Sequence, residues 1–200
     1  MADLGTFSSK EELRKQFRTY RADLSSSTYR AKSTLICTRV LGIPAVARAT
    51  VVHTYWPQIS SGEIDTRPLV SALRSQGKSV VLPVVTNYDP DFPDMQHRHY
   101  DGPGTLRTNR WGIPEPSDTD RVPAADLDVV IVPALGAGRD GHRVGHGSGY
   151  YDAFLNEIGV PRIILAYENC LASSIPTEAH DVPGTHVVTE RNVLPASRVD

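Results

Sequence analysis

Residues 127–152 read Leu127-Asp-Val-Val-Ile-Val-Pro133, then Ala134-Leu-Gly-Ala-Gly-Arg-Asp-Gly-His-Arg-Val-Gly-His-Gly-Ser-Gly-Tyr-Tyr-Asp152. Leu127 to Val132 is a nearly continuous apolar run, the pattern of a central strand covered on both faces. The segment after it is a loop. It holds six of the chain's 15 glycines: Gly136, Gly138, Gly141, Gly145, Gly147 and Gly149. From Tyr150 to about Ile158 the pattern is helical and is closed by Gly159. In an open α/β sheet, ligands bind beyond the carboxyl ends of the strands. A glycine loop that feeds a helix offers free N–H groups and a favourable dipole to an anion. Arg139 and Arg143 can add charge-assisted contacts to phosphate. The segment is not a P-loop, because no Gly-Lys-Ser/Thr follows. It is also a poor dinucleotide fingerprint, with GxGxG spacing late in the chain. The plainer alternative is a loop whose glycines only solve a packing problem. Asp152, just inside the helix, could share Mg²⁺ with a phosphate or be an ordinary helix N-terminal acid.

Around this stretch, short β-branched runs alternate with helical ones. Ala49 to Tyr55, Ser79 to Val85, Arg162 to Tyr167 and Val187 to Thr189 read as strands. A helix opens at Thr66 and Pro68 and ends near Gln76 and Gly77. The N-terminal part is helical. Ser8 and Ser9 stand three positions before Glu11 and Glu12, a capping-box spacing. The first helix should run to about Leu24, with Leu13, Phe17 and Tyr20 at helical intervals. A second should run from Ser25–Ser27 to Leu41, before Gly42 and Pro44. The expected fold is therefore α/β: a three-layer sandwich with a mainly parallel central sheet, Rossmann-like, preceded by two N-terminal helices. Residues 1–7 read as a loose leader. Residues 86–126, rich in Pro, Asp, His and Asn, with weak strand candidates near His97 to Tyr100 and Thr105 to Thr108, read as a loop-rich insertion with a hairpin in an otherwise single domain of 200 residues.

Net charge is −2, so no global basic field calls for nucleic acid. The first 60 residues carry +5 and the rest −7, which a solvated helix face explains as well as a nucleic-acid surface does. Cys37 and Cys170 are far apart, lack a CxxC pattern and fit buried free thiols. No apolar run approaches a membrane span. A soluble, cytoplasmic protein is expected, with no membrane or nucleic-acid partner.

The segment Arg143-Val-Gly-His-Gly-Ser-Gly-Tyr-Tyr-Asp152 resembles the signature of the 5-formyltetrahydrofolate cyclo-ligase (methenyltetrahydrofolate synthetase) family. Further blocks resemble the same family in order. They are Lys10-Glu-Glu-Leu-Arg14, Tyr55-Trp-Pro with Glu63-Ile-Asp-Thr66, Val81-Leu-Pro-Val, Gly112-Ile-Pro-Glu115-Pro116, Leu127 to Pro133, Ile175-Pro-Thr-Glu-Ala-His-Asp181 and Val187-Val-Thr-Glu190.

The resemblance implies an enzyme that uses ATP and Mg²⁺ to convert 5-formyltetrahydrofolate to 5,10-methenyltetrahydrofolate, releasing ADP and phosphate. In such a reaction the formyl oxygen is phosphorylated, the neighbouring folate amine closes the ring, and phosphate leaves. Catalysis is then mainly positioning and charge neutralisation. By resemblance, Lys10 and Arg14 contact the ATP phosphates, and their i,i+4 spacing puts them on one helix face. The segment Arg143, Val144, Gly145, His146, Gly147, Ser148, Gly149, Tyr150 and Tyr151 would wrap the nucleotide, with Arg143 and Tyr151 in catalytic roles. Trp56, Glu63 and Gly147 to Tyr150 would contact a reduced folate. An aromatic face can stack on a pterin, and a carboxylate can accept from its amino-pyrimidine. Asp152 and Asp181 would hold Mg²⁺. The enzyme is expected to be a monomer. The chain departs from the family pattern at Ala137-Gly138, where Phe-Asp is usual, and at Thr185, where Asp is common. The nearest acid to Gly138 is Asp140. A cyclo-ligase-like enzyme with a non-folate substrate, or a non-catalytic nucleotide- or folate-binding protein, are the alternative functions.

Overall fold

The computed structural model describes residues 9–89 and 91–196. The leader expected at 1–7 lies outside them, as does Ser8. Helix α1 spans Lys10–Ala22, and its N-cap Ser9 accepts a hydrogen bond from the Glu12 N–H at 3.3 Å. Helix α2 spans Ser26–Leu41, capped in the same way by Ser25. Pro44 then opens a short third helix, α3 (Pro44–Arg48), that the sequence did not announce. It is a first-turn proline, whose missing N–H is an orphan in any helix.

The strands β1 (Val51–His53), β2 (Ser79–Asn87) and β3 (Asp94–His99) come next, with α4 (Arg67–Ser75) between β1 and β2. A hairpin of β4 (Leu106–Thr108) and β5 (Pro114–Pro116) precedes β6 (Val129–Val132). After β6 come β7 (Gly136–Gly138), β8 (Arg143–Val144), α5 (Tyr150–Asn156), β9 (Arg162–Leu165), β10 (Leu171–Ala172), β11 (His186–Val188) and β12 (Val193–Pro195). The main sheet has seven strands in the order β12-β11-β9-β6-β1-β2-β3. The five inner strands run parallel, and both edge strands run antiparallel to their neighbours. The weak strand candidates near His97 to Tyr100 and Thr105 to Thr108 fall on β3 and β4, and β3 extends further than expected, pairing with β2 over most of its length. A small sheet, β10-β7-β8, stands beyond the end of β6.

The period of two along β6 sorts its side chains between two layers. Val129 and Ile131 pack with Leu13, Phe17, Ile36 and Leu73 of the N-terminal helices and α4. Val130 and Val132 pack with Phe154 and Leu155 of α5. Helices therefore cover both faces of a mainly parallel sheet, the three-layer arrangement that the alternation predicts. Chain order in the sheet reverses at β1: β2 lies on one side of it and β6 on the other. The crevice at the carboxyl ends of β1 and β6 is the topological switch point, where ligands of such sheets bind.

Candidate active site

A cavity of about 580 Å³ opens at that switch point. The chain leaving β1 supplies Tyr55, Trp56 and Glu63, and the chain leaving β6 supplies Pro133 and the loop from Arg143 to Asp152. The far wall, with Pro83, Val85 and Met95 from β2 and β3 and Trp111, Ile113 and Glu115 from the hairpin, is largely apolar.

The glycine loop folds back on α1. Gly147 and Gly149 have φ of +98° and +74°, a region that costs side-chain-bearing residues about 1 kcal/mol or more. The Gly145 carbonyl accepts from Arg14 Nε at 3.1 Å. The Arg14 guanidinium also lies against Gly147, about where a Cβ would sit in van der Waals contact. One turn earlier, Lys10 Nζ meets Asp181 Oδ2 at 2.5 Å. Arg143, nearly buried, donates Nη2 to Asp152 Oδ1 at 2.7 Å and Nη1 to the Val182 carbonyl at 3.2 Å. The second contact brings the Asp181 segment to Asp152. The fold thus assembles Lys10, Arg14, Arg143, Asp152 and Asp181, from three distant parts of the chain, around the loop 145–149.

The electrostatics follow from burial and neighbours. Burial opposes ionisation of Asp181, but the Lys10 ammonium and the Glu178 N–H outweigh it and hold the carboxyl below its ordinary range. Burial raises Glu63, offset in part by the Gln58 N–H on Oε2 at 2.8 Å and by the nearby charge of Arg21. His146 is pushed down to about 4 by burial and by the positive field of Arg21, Arg18 and Arg14, so it is neutral at pH 7. The Tyr151 hydroxyl is buried without a hydrogen-bond partner among the described residues. Burial, and then the negative field of Glu63, raise its pKa far above the ordinary value. Tyr151 is therefore a proton donor in hydrogen bonds, not a base, at neutral pH. Tyr150 is held differently, donating its hydroxyl to the Asn87 carbonyl at 2.8 Å. Trp56 is half-buried, its ring 5.2 Å from that of Tyr100, with one side on the core and the other on the cavity.

Trp111 and Glu115 were not singled out by the sequence. The block Gly112-Ile-Pro-Glu115-Pro116 was the only signal, and nothing in it said that the hairpin closes over the cavity. Neither departure from the family pattern leaves a gap. Thr185 lies at the other end of the sheet, where its hydroxyl bonds the backbone of Arg162 at the start of β9. At Gly138 an acid is present after all. Asp140 folds back so far that a Cβ on Gly138 would lie 2.3 Å from its Oδ1, which accepts from the His142 N–H at 3.1 Å.

Among the described residues no group of three or more His, Cys, Asp or Glu side chains is placed to hold a metal. Asp152 and Asp181 remain as candidates, connected through Arg143, which bonds Asp152 and the carbonyl of Val182 next to Asp181. That donor set suits Mg²⁺, which keeps waters and takes phosphate oxygens to complete its octahedron. Among the described residues no helix is long and apolar enough to cross a membrane.

A model of the 5-formyltetrahydrofolate cyclo-ligase family matches residues 6–190. The 5-formyltetrahydrofolate cyclo-ligase of Escherichia coli is 32% identical over 161 residues, covering 78% of this chain and 86% of that one. That of Mycolicibacterium smegmatis is 36% identical over 136 residues, covering 65% and 69%. The solved 5,10-methenyltetrahydrofolate synthetase of Aquifex aeolicus superposes with a TM-score of 0.82 at 28% identity, covering 96% of this chain and 94% of that one.

Proposed function

The chain belongs to the 5-formyltetrahydrofolate cyclo-ligase family, and from that premise we propose that it closes 5-formyltetrahydrofolate to 5,10-methenyltetrahydrofolate at the expense of ATP with Mg²⁺. One observation carries the reading. Arg143, Asp152 and the glycine loop line one end of a cavity whose other walls are apolar, aromatic and carboxylate-bearing, and behind that loop stand Arg14, on the Gly145 carbonyl, and the Lys10–Asp181 pair. This division suits a polyanion at one end and a flat heterocycle with N–H donors at the other.

Bound MgATP would supply the γ-phosphoryl group that turns the formyl oxygen into a phosphate leaving group, after which the folate's second nitrogen closes the ring. The chain supplies position and charge. Lys10, Arg14 and the loop N–H groups balance the phosphates. Asp152 and Asp181 hold the metal, and Arg143 fixes the orientation of Asp152 while adding positive charge. Tyr151 offers an unspent O–H beside the reacting end. Trp56 and Trp111 take the pterin between aromatic faces, and Glu63 accepts from one of its N–H groups. The apolar far wall keeps water from the activated carbon, which strengthens each of these charges.

Purified protein with 5-formyltetrahydrofolate, ATP and Mg²⁺ should generate the near-ultraviolet absorbance of the methenyl product, with one ADP per turnover. A folded sample that makes no product at high enzyme concentration refutes the proposal.

A further inference from the structure

The hairpin β4–β5 carries one carboxylate that the chemistry above does not use. Glu115 is 9% exposed and lines the cavity. Its Oε1 accepts two hydrogen bonds, from the Val85 N–H at 3.1 Å and from Asn109 Nδ2 at 2.8 Å. Its Oε2 accepts none among the described residues, and Glu115 forms no ion pair with them. Burial raises its pKa, and the two N–H donors pull it back. A carboxylate is a costly choice for such a place. A glutamine would satisfy both donors without desolvating a charge.

The orientation of Asn109 is fixed by its other bonds. Its Oδ1 accepts from the N–H groups of Trp111 and Ile113, at 2.9 and 3.0 Å. That leaves only Nδ2 to face Glu115. One asparagine therefore shapes the turn that presents Trp111 and aims the free oxygen of Glu115 into the same cavity.

The cavity's two glutamates stand in different fields. Glu63 shares the surroundings of Tyr151 with Arg143, the partner of Asp152. Glu115 shares those of Tyr150 with Arg110 and Tyr88, on the side of Trp111. In a reduced pterin, the nitrogen that carries the formyl group and the 2-amino group lie on opposite edges of the ring system. With the formyl group toward Arg143 and Asp152, the amino-pyrimidine edge faces the hairpin.

We propose that Glu115 is a specificity-determining residue of this site, its Oε2 accepting hydrogen bonds from the amino-pyrimidine edge of the reduced folate. This rests on the cyclo-ligase reading and adds to it which group reads the ring's identity.

Glu115→Gln tests it with little structural cost. Two donors face Oε1, so the amide oxygen must take that place, and its NH₂ then points at the ligand's own donors. The expected result is a KM for 5-formyltetrahydrofolate raised roughly 10- to 100-fold, the range of a lost hydrogen bond to a charged group. The KM for ATP and the melting temperature should stay near wild type. A 5-formyl substrate lacking the 2-amino group should be used poorly by the wild type, and the variant should lose that discrimination. If the variant does not fold, the wild type's discrimination against this analogue decides alone. An active wild type that ignores the 2-amino group overturns the proposal and leaves the cyclo-ligase reading intact. So does a variant with unchanged folate KM. A wild type that neither turns over 5-formyltetrahydrofolate nor binds it, read by tryptophan emission, overturns both.

Discussion

Lys10 Nζ and Asp181 Oδ2 meet at 2.5 Å, and both side chains are mostly buried. Arg143 and Asp152 form a second such pair at 2.7 Å. In the proposed reaction each pair joins a phosphate-binding cation to a metal-binding acid. Nucleotide and metal arriving together can re-sort both pairs without leaving any charge alone. Metal-free nucleotide must draw the cations away from acids that then stand unpartnered.

Asp181→Asn should therefore bind metal-free ATP more tightly than the wild type, by about 5-fold or roughly 1 kcal/mol, the upper range for a partly exposed ion pair. The same variant should lose most of the gain in affinity that Mg²⁺ gives the wild type. Titration calorimetry with and without a chelator measures both. Unchanged affinity for metal-free ATP would mean that Lys10 does not serve phosphate.

Trp111→Ala should raise the KM for 5-formyltetrahydrofolate by about 10-fold, the scale of a lost aromatic stack, and leave the KM for ATP unchanged. Trp111 is 40% exposed and packs edge-on to Tyr88 at 4.7 Å, so little stability should be lost. Equal effects on both substrates would point to collapse of the hairpin instead.

Acid should destabilise the fold well above the carboxylate range. His97 is pushed down to about 4 by burial, and His53, fully buried, lies well below its ordinary value. The two rings share a hydrogen bond at 3.2 Å and pack on Phe154. Unfolded, each would titrate near 6.5. Between about 6.5 and 4 the unfolded chain therefore takes up protons that the folded chain refuses. The stabilisation is full above that window and is lost as pH falls through it, by up to roughly 3 kcal/mol per fully shifted histidine. Melting temperatures at several pH values should fall across this window, and His97→Gln should flatten the decline. An equally steep decline in the variant would place its cause elsewhere.

Gly136→Ala should destabilise. An added Cβ would lie 2.2 Å from the Phe17 ring and 2.5 Å from the Cys170 carbonyl oxygen. Overpacking of this kind costs about 1–3 kcal/mol, and Phe17 would have to move with α1. Urea titration should show the loss, and ATP affinity should fall as well, because α1 carries Lys10 and Arg14. Wild-type stability in the variant would contradict the packing described.

The sheet's centre was legible because burial on both faces leaves long apolar runs, as in Val129 to Val132. Its edge was not. Strand β3 reads Asp-Met-Gln-His-Arg-His, and its most buried side chain is a histidine stacked on Phe154 rather than an aliphatic one. Likewise the loop 143–152, with Lys10 and Arg14, stood out because glycine spacing and a shared helix face are local signals. Trp111 and Glu115 did not. Their place in the cavity depends on a hairpin folding over from the edge of the sheet and on the two-sided grip of Asn109. No short window of sequence contains both.

The pairing of Lys10 with Asp181 spans 171 positions, with a consequence for how the protein is made. At about 5–20 residues per second, a ribosome that has just added Lys10 needs roughly 10–30 s more to deliver its partner. Throughout that time the proposed polyanion site lacks Asp181, so nucleotide and metal would hold the nascent chain less firmly. On the proposed reading, a product that stops short of Asp181 should gain less from saturating ligand than a chain that contains it, whose stability rises with the logarithm of ligand concentration above Kd. Ligand-dependent survival would then favour chains that contain Asp181 over those that stop before it.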